Sequence, residues 1–539
     1  MKVRQVCFVL GFVLVAYLGY WLAGTAVPQA PPRQVTQTPA PKHKPVIEDD
    51  EMPKFRRAVR PPSRSKDIAA RLAGAMEGQR VLAFKDQDAL ERFLKRAGDK
   101  VSLLGRLDAL NALRVGFSDI DDLAALLDEA EESFIFPVNA PAPPEGTVQP
   151  GAVALGNHLL EWLGITGDNA DWGRGVKIAV LDTGVQSSSA FRSSISSINL
   201  VDLPANSATQ NGHGTAVASV IIGYDSLTPG VAPGADILSV RIADDNGQSD
   251  SFLLAKGIIA AVDAGAGLIN ISMGSQGDSA LVRSAIAYAL KAGSLIIAAS
   301  GNNGLQKVSY PAANEGVIAV GGVDALGSHL DFSNSGNAVA ISAPGLGVNA
   351  AWSGGQAASV TGTSFSSPII AGAIAAVMTQ AGNKKLTAAQ AWQRLTSYLN
   401  DAGAPGTDPQ LGAGMPDIGR VLNAGKPGIY DAAVASHRIL PPNSGNPYGE
   451  IEILVQNRGT ETLINTAVRV STGGGVVSSN LTSLAPNAVR TVRIPISRPP
   501  SQSTGSFTVD TRVVLSGGRK DAKPSNDHRT ERYVASGAR

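Results

Sequence analysis

Hydrophobic and polar positions divide this chain into stretches with different periods. An unbroken apolar run extends from Val6 to about Val27, behind Lys2 and Arg4. Such a run is a targeting or membrane segment and stands outside any fold argument. It exceeds the roughly 7–15 residues of a secretory signal core and approaches the ~20 that cross a bilayer. Tyr17, Tyr20 and Trp21 sit where an interfacial aromatic belt would lie, whereas Gly24-Thr25-Ala26 offers a small-residue cleavage site. Residues 1–27 are therefore expected to be a signal anchor with a cytoplasmic N-terminus, or a cleaved signal peptide. The remainder is exported in both cases. Residues 28–66 carry no apolar period and read as a proline-rich, basic linker. Seven basic residues fall between Lys54 and Arg71 against one acid, Asp67, which suits a solvated spacer better than an anion-binding patch.

Periodicity returns in residues 67–138. The pattern predicts strands at Val81–Lys85, Val101–Gly105, Ala112–Phe117 and Phe134–Val138, with helices at Gln87–Ala97 and Ile120–Glu131. That βαββαβ order is the ferredoxin-like one. Residues 139–155, which include NAPAPPEGTVQPG, form another linker. Between 156 and 426 short apolar strands (VKIAVL, DILSVRI, GLINISM, SLIIAAS, GVIAVGGV) alternate with helical stretches near His213–Ile222, Phe252–Ala264 and Ala280–Lys291. Strands apolar on both faces and separated by helices predict an α/β fold whose parallel sheet is covered on each side. From 427 to 539 the period becomes two. EIEILVQN, TAVRVST, VRTVRIPIS and SFTVDTRVVLS, divided by Gly, Asn and Pro turns, predict a β-sandwich.

Composition narrows the function classes. The 539 residues are 43% hydrophobic and 17% charged, too apolar for a disordered chain. A net charge of +1 is the wrong footprint for a reader of nucleic-acid phosphates. The single cysteine, Cys7, excludes an internal disulfide framework and any zinc site built from several thiolates. The 59 glycines follow no three-residue repeat, so they serve turns and close packing.

Ligands of parallel sheets gather at the carboxyl ends of the strands, and three glycine-flanked motifs lie there or lead into a helix. Strand VKIAVL ends in Asp182-Thr183-Gly184, NGHGTAVAS opens a helix at His213, and GTSFSSPIIAG opens another at Ser364, with Pro368 expected in its tolerant first turn. Each alone is a weak signal, since most such residues only cap helices or end strands. Together, in the order Asp, His, Ser, they are specific. A serine hydroxyl needs an adjacent base to act as a nucleophile, and a carboxylate fixes that base's tautomer. No HExxH and no GxSxG is present, so the competing hydrolase types lack their residues.

With these motifs, and with GVAPGADILSV, SMGS and ASGNNG between them, residues 160–425 resemble the subtilisin-like serine proteases, or subtilases. The resemblance implies that Asp182, His213 and Ser364 form the triad and that Asn302 donates to the oxyanion. It also implies that Gly247 and Ser249 lie on a strand edge that pairs with an extended substrate. Ser272, Met273 and Gly274 would form the facing strand, Ser309 the base of the primary specificity pocket, and Leu254 part of a more distant apolar pocket. Without an acid at that base, strict Arg/Lys specificity is not expected. Tyr310-Pro311 is expected to be cis. Two departures stand out: HGTAVAS has Ala216 and Ser219 where the family often reads HGTHVAG, and the loop after His213 lacks an asparagine-rich calcium-binding stretch. No cofactor is therefore required, and structural calcium is not supported at that loop.

The βαββαβ unit resembles the inhibitory propeptide of this family, and the C-terminal stretch resembles a CARDB-type, Ig-like module. The expected protein is an exported serine endopeptidase made as a self-inhibited precursor. Its partners are protein or peptide substrates, its own propeptide, the membrane through the N-terminal segment, and a surface ligand of the C-terminal module; nucleic acid is not among them. Self-cleavage is expected between Val138 and Gly156, most readily near Glu145–Ala154, because Pro141, Pro143 and Pro144 disfavour several bonds. The alternative is an inactive relative whose β-module binds a surface partner.

Overall fold

The computed structural model describes residues 74–141, 147–201, 210–380, 385–472, 475–496 and 506–534. The apolar run Val6–Val27 and the basic linker lie outside them. Among the described residues no helix is long and apolar enough to cross a membrane.

The N-terminal stretch holds strands β1 (Gln79–Phe84), β2 (Ser102–Leu107), β3 (Ala112–Gly116) and β4 (Ala130–Ser133), with helices α1 (Gln87–Ala97) and α2 (Ile120–Ala124). The sheet runs β2-β3-β1-β4, the ferredoxin-like order, with every pairing antiparallel. Helix α1 starts where the Asp86 side chain accepts from the Ala89 N–H, and it buries Ala89, Leu90, Phe93 and Ala97 against the sheet. Two expectations need correction. The second helix stops at Ala124, and the chain turns so that Asp128 and Glu129 pair with Arg96 and Arg92 of α1. The last strand of the sheet is Ala130–Ser133, not Phe134–Val138. Part of that apolar run becomes β5 (Pro137–Asn139), which pairs elsewhere.

The central stretch begins with α3 (Leu159–Trp162) and is built on β6 (Lys177–Asp182), β7 (Ile195–Asn199), β8 (Asp236–Arg241), β10 (Leu268–Ile271), β11 (Leu295–Ala299), β12 (Val317–Val323) and β13 (Val339–Pro344). These seven make one parallel sheet in the order β13-β12-β11-β10-β6-β8-β7. Alternation along each strand divides it between two cores, as a doubly covered sheet requires. In β6, Ile178 and Val180 enter one apolar cluster, with helices α4 (His213–Ile222) and α7 (Thr363–Gln380). Ala179 and Leu181 enter the other, with α5 (Ser251–Asp263) and α6 (Ala280–Lys291). A short strand, β9 (Gln248–Asp250), precedes α5, and a hairpin of β14 (Val348–Ala351) and β15 (Ala357–Val360) precedes α7. Helices α8 (Ala388–Thr396) and α9 (Ile418–Asn423) close this part.

The last stretch is two antiparallel sheets. Strands β16 (Ala432–Leu440), β17 (Glu450–Asn457) and β20 (Val489–Pro495) form one, in the order β16-β17-β20. Strands β18 (Leu463–Ser471), β19 (Val476–Leu484), β21 (Ser506–Val514) and β22 (His528–Val534) form the other, in the order β19-β18-β21-β22. Ile451, Ile453, Val455, Val468, Val470, Val509 and Val513 share one core between them.

Candidate active site

Asp182 is the last residue of β6 and His213 the first of α4. Both are buried, and His213 Nδ1 lies 2.8 Å from Asp182 Oδ1 and 3.0 Å from Oδ2. A carboxylate can only accept, so Nδ1 carries the proton and Nε2 is left as the basic nitrogen. The Thr183 N–H donates to Asp182 Oδ1 at 2.7 Å, and the Gly214 N–H donates to Thr183 Oγ1, tying the strand end to the helix start. Asn211 Oδ1 accepts from the His213 N–H at 2.9 Å. The glycines flanking the histidine have steric reasons. A Cβ on Gly212 would sit 2.4 Å from the Trp352 ring, and one on Gly214 would sit 2.4 Å from the Gly184 carbonyl oxygen.

Ser364 lies in the first turn of α7, with the Phe365 ring 5.5 Å from the His213 ring. Pro368 is the sixth residue of this helix rather than part of its first turn. Having no N–H, it cannot donate to the carbonyl four residues earlier, which is that of Ser364. Ser272 fills the gap: its hydroxyl donates to the Ser364 carbonyl at 2.7 Å, and it accepts from Asn270 Nδ2 at 2.9 Å. Ser367 Oγ donates to Asn270 Oδ1 at 2.7 Å. The end of β10 is thereby bolted to the start of α7. In return the Ser364 hydroxyl donates to the Ser272 carbonyl at 3.2 Å.

Asn302 follows β11. Its Oδ1 accepts from the Thr363 N–H at 2.9 Å and from Thr363 Oγ1 at 2.7 Å. A backbone N–H can only donate, so the amide orientation is fixed and Nδ2 occupies the opposite edge. The Gly301 N–H donates to Thr363 Oγ1 at 3.2 Å. The four polar residues picked out by motif are thus gathered at the carboxyl ends of β6 and β11 and the starts of α4 and α7.

Three of the residues expected to bind substrate, Gly247, Ser249 and Gly274, already pair with a strand of this chain. Pro137, Val138 and Asn139 of β5 pair antiparallel with Asp250, Ser249 and Gln248 of β9. On its other edge Asn139 exchanges two hydrogen bonds with Gly274, at 3.1 and 3.2 Å, and the Ala140 N–H donates to the Gly247 carbonyl at 2.8 Å. Gly247 has φ of 76°, and a Cβ there would meet the Ala140 carbonyl oxygen at 2.7 Å. Val138 and Ala140 join the apolar cluster that contains Leu254 and Met273. Ser309 is buried, and its Oγ accepts from Asn334 Nδ2 at 3.2 Å. Ser309 fills the space between two glycines: a Cβ on Gly274 would lie 3.3 Å from its Cβ, and one on Gly301 would lie 2.5 Å from its Oγ. The Tyr310-Pro311 peptide is cis.

Several positioning residues escaped the motifs. Thr363, Asn270, Ser367 and Trp352 orient the site from behind, and only the density of Ser and Thr in GTSFSSP hints at them. The departure at Ser219 is explained: its hydroxyl donates to the Ala216 carbonyl and accepts from the Ala351 N–H, joining α4 to the hairpin. Ala216 is fully buried in the core. In the short loop after α4, Asp225 Oδ1 accepts from the Leu227 and Thr228 N–H groups and from Thr228 Oγ1. Among the described residues no group of three or more His, Cys, Asp or Glu is disposed to hold a metal ion.

Residues 173–414 match the family profile of the subtilases, peptidase family S8. The thermostable alkaline protease of Halalkalibacterium halodurans is 36% identical over 251 residues, 46% of this chain and 68% of that protein. The alkaline protease of Alkalihalobacillus alcalophilus is 32% identical over 336 residues, 58% of this chain and 84% of that protein. Among solved structures, the epidermin leader peptide processing serine protease of Staphylococcus aureus superposes with a TM-score of 0.54 at 20% identity, covering 65% of this chain and 98% of that one. That likeness speaks for the fold. With fold, site and relatives in agreement, the chain belongs to the subtilase family and is a serine-type endopeptidase.

Proposed function

We propose that this endopeptidase is exported and made as a self-inhibited precursor, with Asp182, His213 and Ser364 as its triad. His213 Nε2 removes the Ser364 proton as Oγ attacks the substrate carbonyl, and later returns it to the leaving amine. Asp182 holds the tautomer and stabilises the imidazolium. Asn302 Nδ2 and the Ser364 N–H at the start of α7 receive the oxyanion. Gly247, Ser249 and Ser272–Gly274 hold an extended peptide by strand addition. Ser309 lies at the base of the primary pocket and Leu254 lines a more distant apolar one. The observation that carries the reading is the buried Asp182–His213 pair set against the start of α7.

The stretch 74–140 acts as the inhibitory propeptide, because it ends as a strand lying in that cleft. The N-terminal apolar segment directs export, as anchor or as signal, and the C-terminal sandwich is a CARDB-type module that serves a surface ligand. The chemistry needs no cofactor.

Labelling with a fluorophosphonate tests the active serine. Ser364 takes the label, and Ser364→Ala removes it; a folded, processed chain that takes no label would favour the inactive binding protein instead. Asn302→Ala is expected to leave the fold intact and lower kcat by about 10²–10³-fold, a magnitude established on subtilisin itself. Turnover measured on a protein substrate checks this, and near-normal turnover would remove Asn302 from the oxyanion hole.

A further inference from the structure

Asn302 sits in a glycine-flanked loop between β11 and β12 that has no regular structure of its own. A donor to a developing oxyanion must nevertheless be held to within about 0.5 Å of its working place. The support comes from Asn334, which is fully buried. Its Oδ1 accepts from the Asn303 N–H and from the Leu305 N–H, each at 3.0 Å. Its own N–H donates to the Gly301 carbonyl at 2.9 Å. Both chain neighbours of Asn302 are thus fastened to one residue. Backbone N–H groups can only donate, so the orientation of this amide is fixed and Nδ2 is left to donate to Ser309 Oγ at 3.2 Å. Gly301 has φ of 107°, and a Cβ there would lie 2.4 Å from that Nδ2, so only glycine lets the amide through. Asn334 in turn has a rigid seat. The Ser333 hydroxyl beside it accepts from the Gly322 N–H at 2.9 Å, and the Leu330 N–H donates to the Gly322 carbonyl at 3.1 Å. Gly322 belongs to β12, which is buried along its whole length.

We infer that Asn334 is a positioning residue for the oxyanion, acting through Asn302 by setting where its Nδ2 points. The inference rests on the proteolytic reading above. Two clamps act on Asn302. Thr363, next to the nucleophile, holds Oδ1 of its side chain, and Asn334 holds the backbone on either side of it. The first clamp ties the donor to Ser364. The second ties it to β12 and, through Ser309, to the base of the primary pocket. Without the Asn334 side chain the Asn303 and Leu305 N–H groups lose their acceptor. The loop then relaxes to regain one, and Nδ2 leaves the point where charge develops. Among the described residues Asn334 makes no hydrogen bond to Gly247, Ser249 or Gly274, which hold an extended peptide. The loss should therefore fall on turnover and not on binding.

The test is a double-mutant cycle in the full chain: wild type, Asn302→Ala, Asn334→Ala and the double variant. Steady-state kinetics on one peptide substrate give kcat and KM. Active sites are counted by exhaustive fluorophosphonate labelling, and folding is checked by thermal unfolding. Asn334→Ala alone should lower kcat about tenfold, with KM changed by less than about twofold; this is part of the roughly 10²–10³-fold that one donor is worth on subtilisin itself. Over Asn302→Ala the same change should lower kcat by less than about twofold, because the group it steers is gone. A tenfold fall in both backgrounds overturns the inference and makes Asn334 a general brace. So does an unchanged kcat, or a loss confined to KM. If the alanine variant does not fold, the cycle is run with Asn334→Ser, whose hydroxyl leaves room for a bridging water, and the same outcomes decide. A folded wild-type chain that takes no label and turns nothing over sinks the proteolytic reading, and the inference with it.

Discussion

The parts flanking the central sheet are joined to it in opposite ways. The N-terminal unit is held by β5 in the cleft, by an Arg114–Asp250 ion pair at 2.7 Å, and by the Phe252 ring packed over Gly105. The last two contacts lie at the end of β9 and the first turn of α5, while β5 also bonds Gly274 on its other edge. The C-terminal sandwich is held by side chains sunk in the seam. Arg420, on α9 and 8% exposed, donates to the carbonyls of Tyr398 and Leu399, to Asn400 Oδ1, to the Arg458 carbonyl and to Asn487 Oδ1. Gln456 of β17 donates to the Leu399 carbonyl and accepts from the Asp401 N–H. Burial pulls the Arg420 guanidinium down to about 10 and pushes the Asp401 carboxyl up to about 6. A strand edge can be vacated and its groups rehydrated, whereas a buried guanidinium with five acceptors cannot leave cheaply. One joint is suited to separation and the other to permanence.

The largest effect that bears on this contrast comes from the nucleophile. Ser364→Ala should abolish proteolysis, by about 10⁴-fold or more on the scale known from subtilisin itself, and keep the N-terminal unit covalently attached. Electrophoresis of wild type and variant side by side shows this. Loss of the N-terminal unit from the variant would mean that another protease makes the cut. The C-terminal joint should remain uncut in both.

Arg420→Met should cost about 3–5 kcal/mol, because it orphans buried carbonyls and amides on both sides of the seam. Thermal unfolding should then split into separate transitions for the sandwich and the protease part. A single transition shifted by a degree or less would show that the seam is not the fastening described here.

His437, on β16, offers a pH test of the same part. Among the described residues neither ring nitrogen has a hydrogen-bond partner, and burial drives the imidazole down to about 4 despite Glu531 at 4.0 Å and Asp510 nearby, with Arg529 adding to the fall. The folded state therefore favours the neutral ring. Its contribution is complete above about 6.5 and is lost as pH falls through about 4, worth about 3 kcal/mol. Asp401 has the opposite sign: its raised folded value makes it stabilise as pH falls from about 6 toward 3.8. His437→Leu should flatten the acid loss, measured as the change in Tm of the sandwich between pH 7.5 and 4.5. An unchanged slope would place the acid sensitivity elsewhere.

The smallest expected effect is at the first joint. Arg114→Ala should weaken retention of the cleaved N-terminal unit by roughly 1–2 kcal/mol, read as faster dissociation on a column, while the Tm of the protease part stays within a degree. A large drop in that Tm would erase the distinction between the two joints.

Much of this architecture is legible in the sequence. The five apolar strands and three helices of the central part fall where their patterns place them, because strands buried on both faces are built mainly of apolar residues, with Asn270 and Ser239 among the buried exceptions. Several strands that escaped have one-sided or unusual burial, although β13, buried almost throughout, escaped as well. Strand β7 is an edge with exposed serines, β19 is mostly exposed, and β22 reads HRTERYV. Strand β16 was hidden by Ser436, His437 and Arg438 in its second half, although its first six residues are buried. At the site, the motif residues announced themselves through glycine flanks, since only glycine tolerates Trp352 at position 212 or the Gly184 carbonyl at position 214. The supporting shell did not. Thr363, Asn270 and Ser367 act through hydrogen bonds between distant segments, and spacing along the chain carries no trace of those. The fate of Phe134–Val138 was open for a related reason: an apolar run declares that it is a strand but not which sheet receives it.

The strand in the cleft also sets how the enzyme would respond to concentration. While the chain is whole, residues 137–140 are tethered to the surface they occupy, and a short tether holds a ligand at an effective concentration in the millimolar range. No dilution changes that occupancy. In the proposed processed form the same strand is a separate molecule, and its occupancy follows the ordinary law of mass action. A processed sample should therefore be quiet when concentrated and active when dispersed, so that proteolysis begins where the enzyme has spread away from its source.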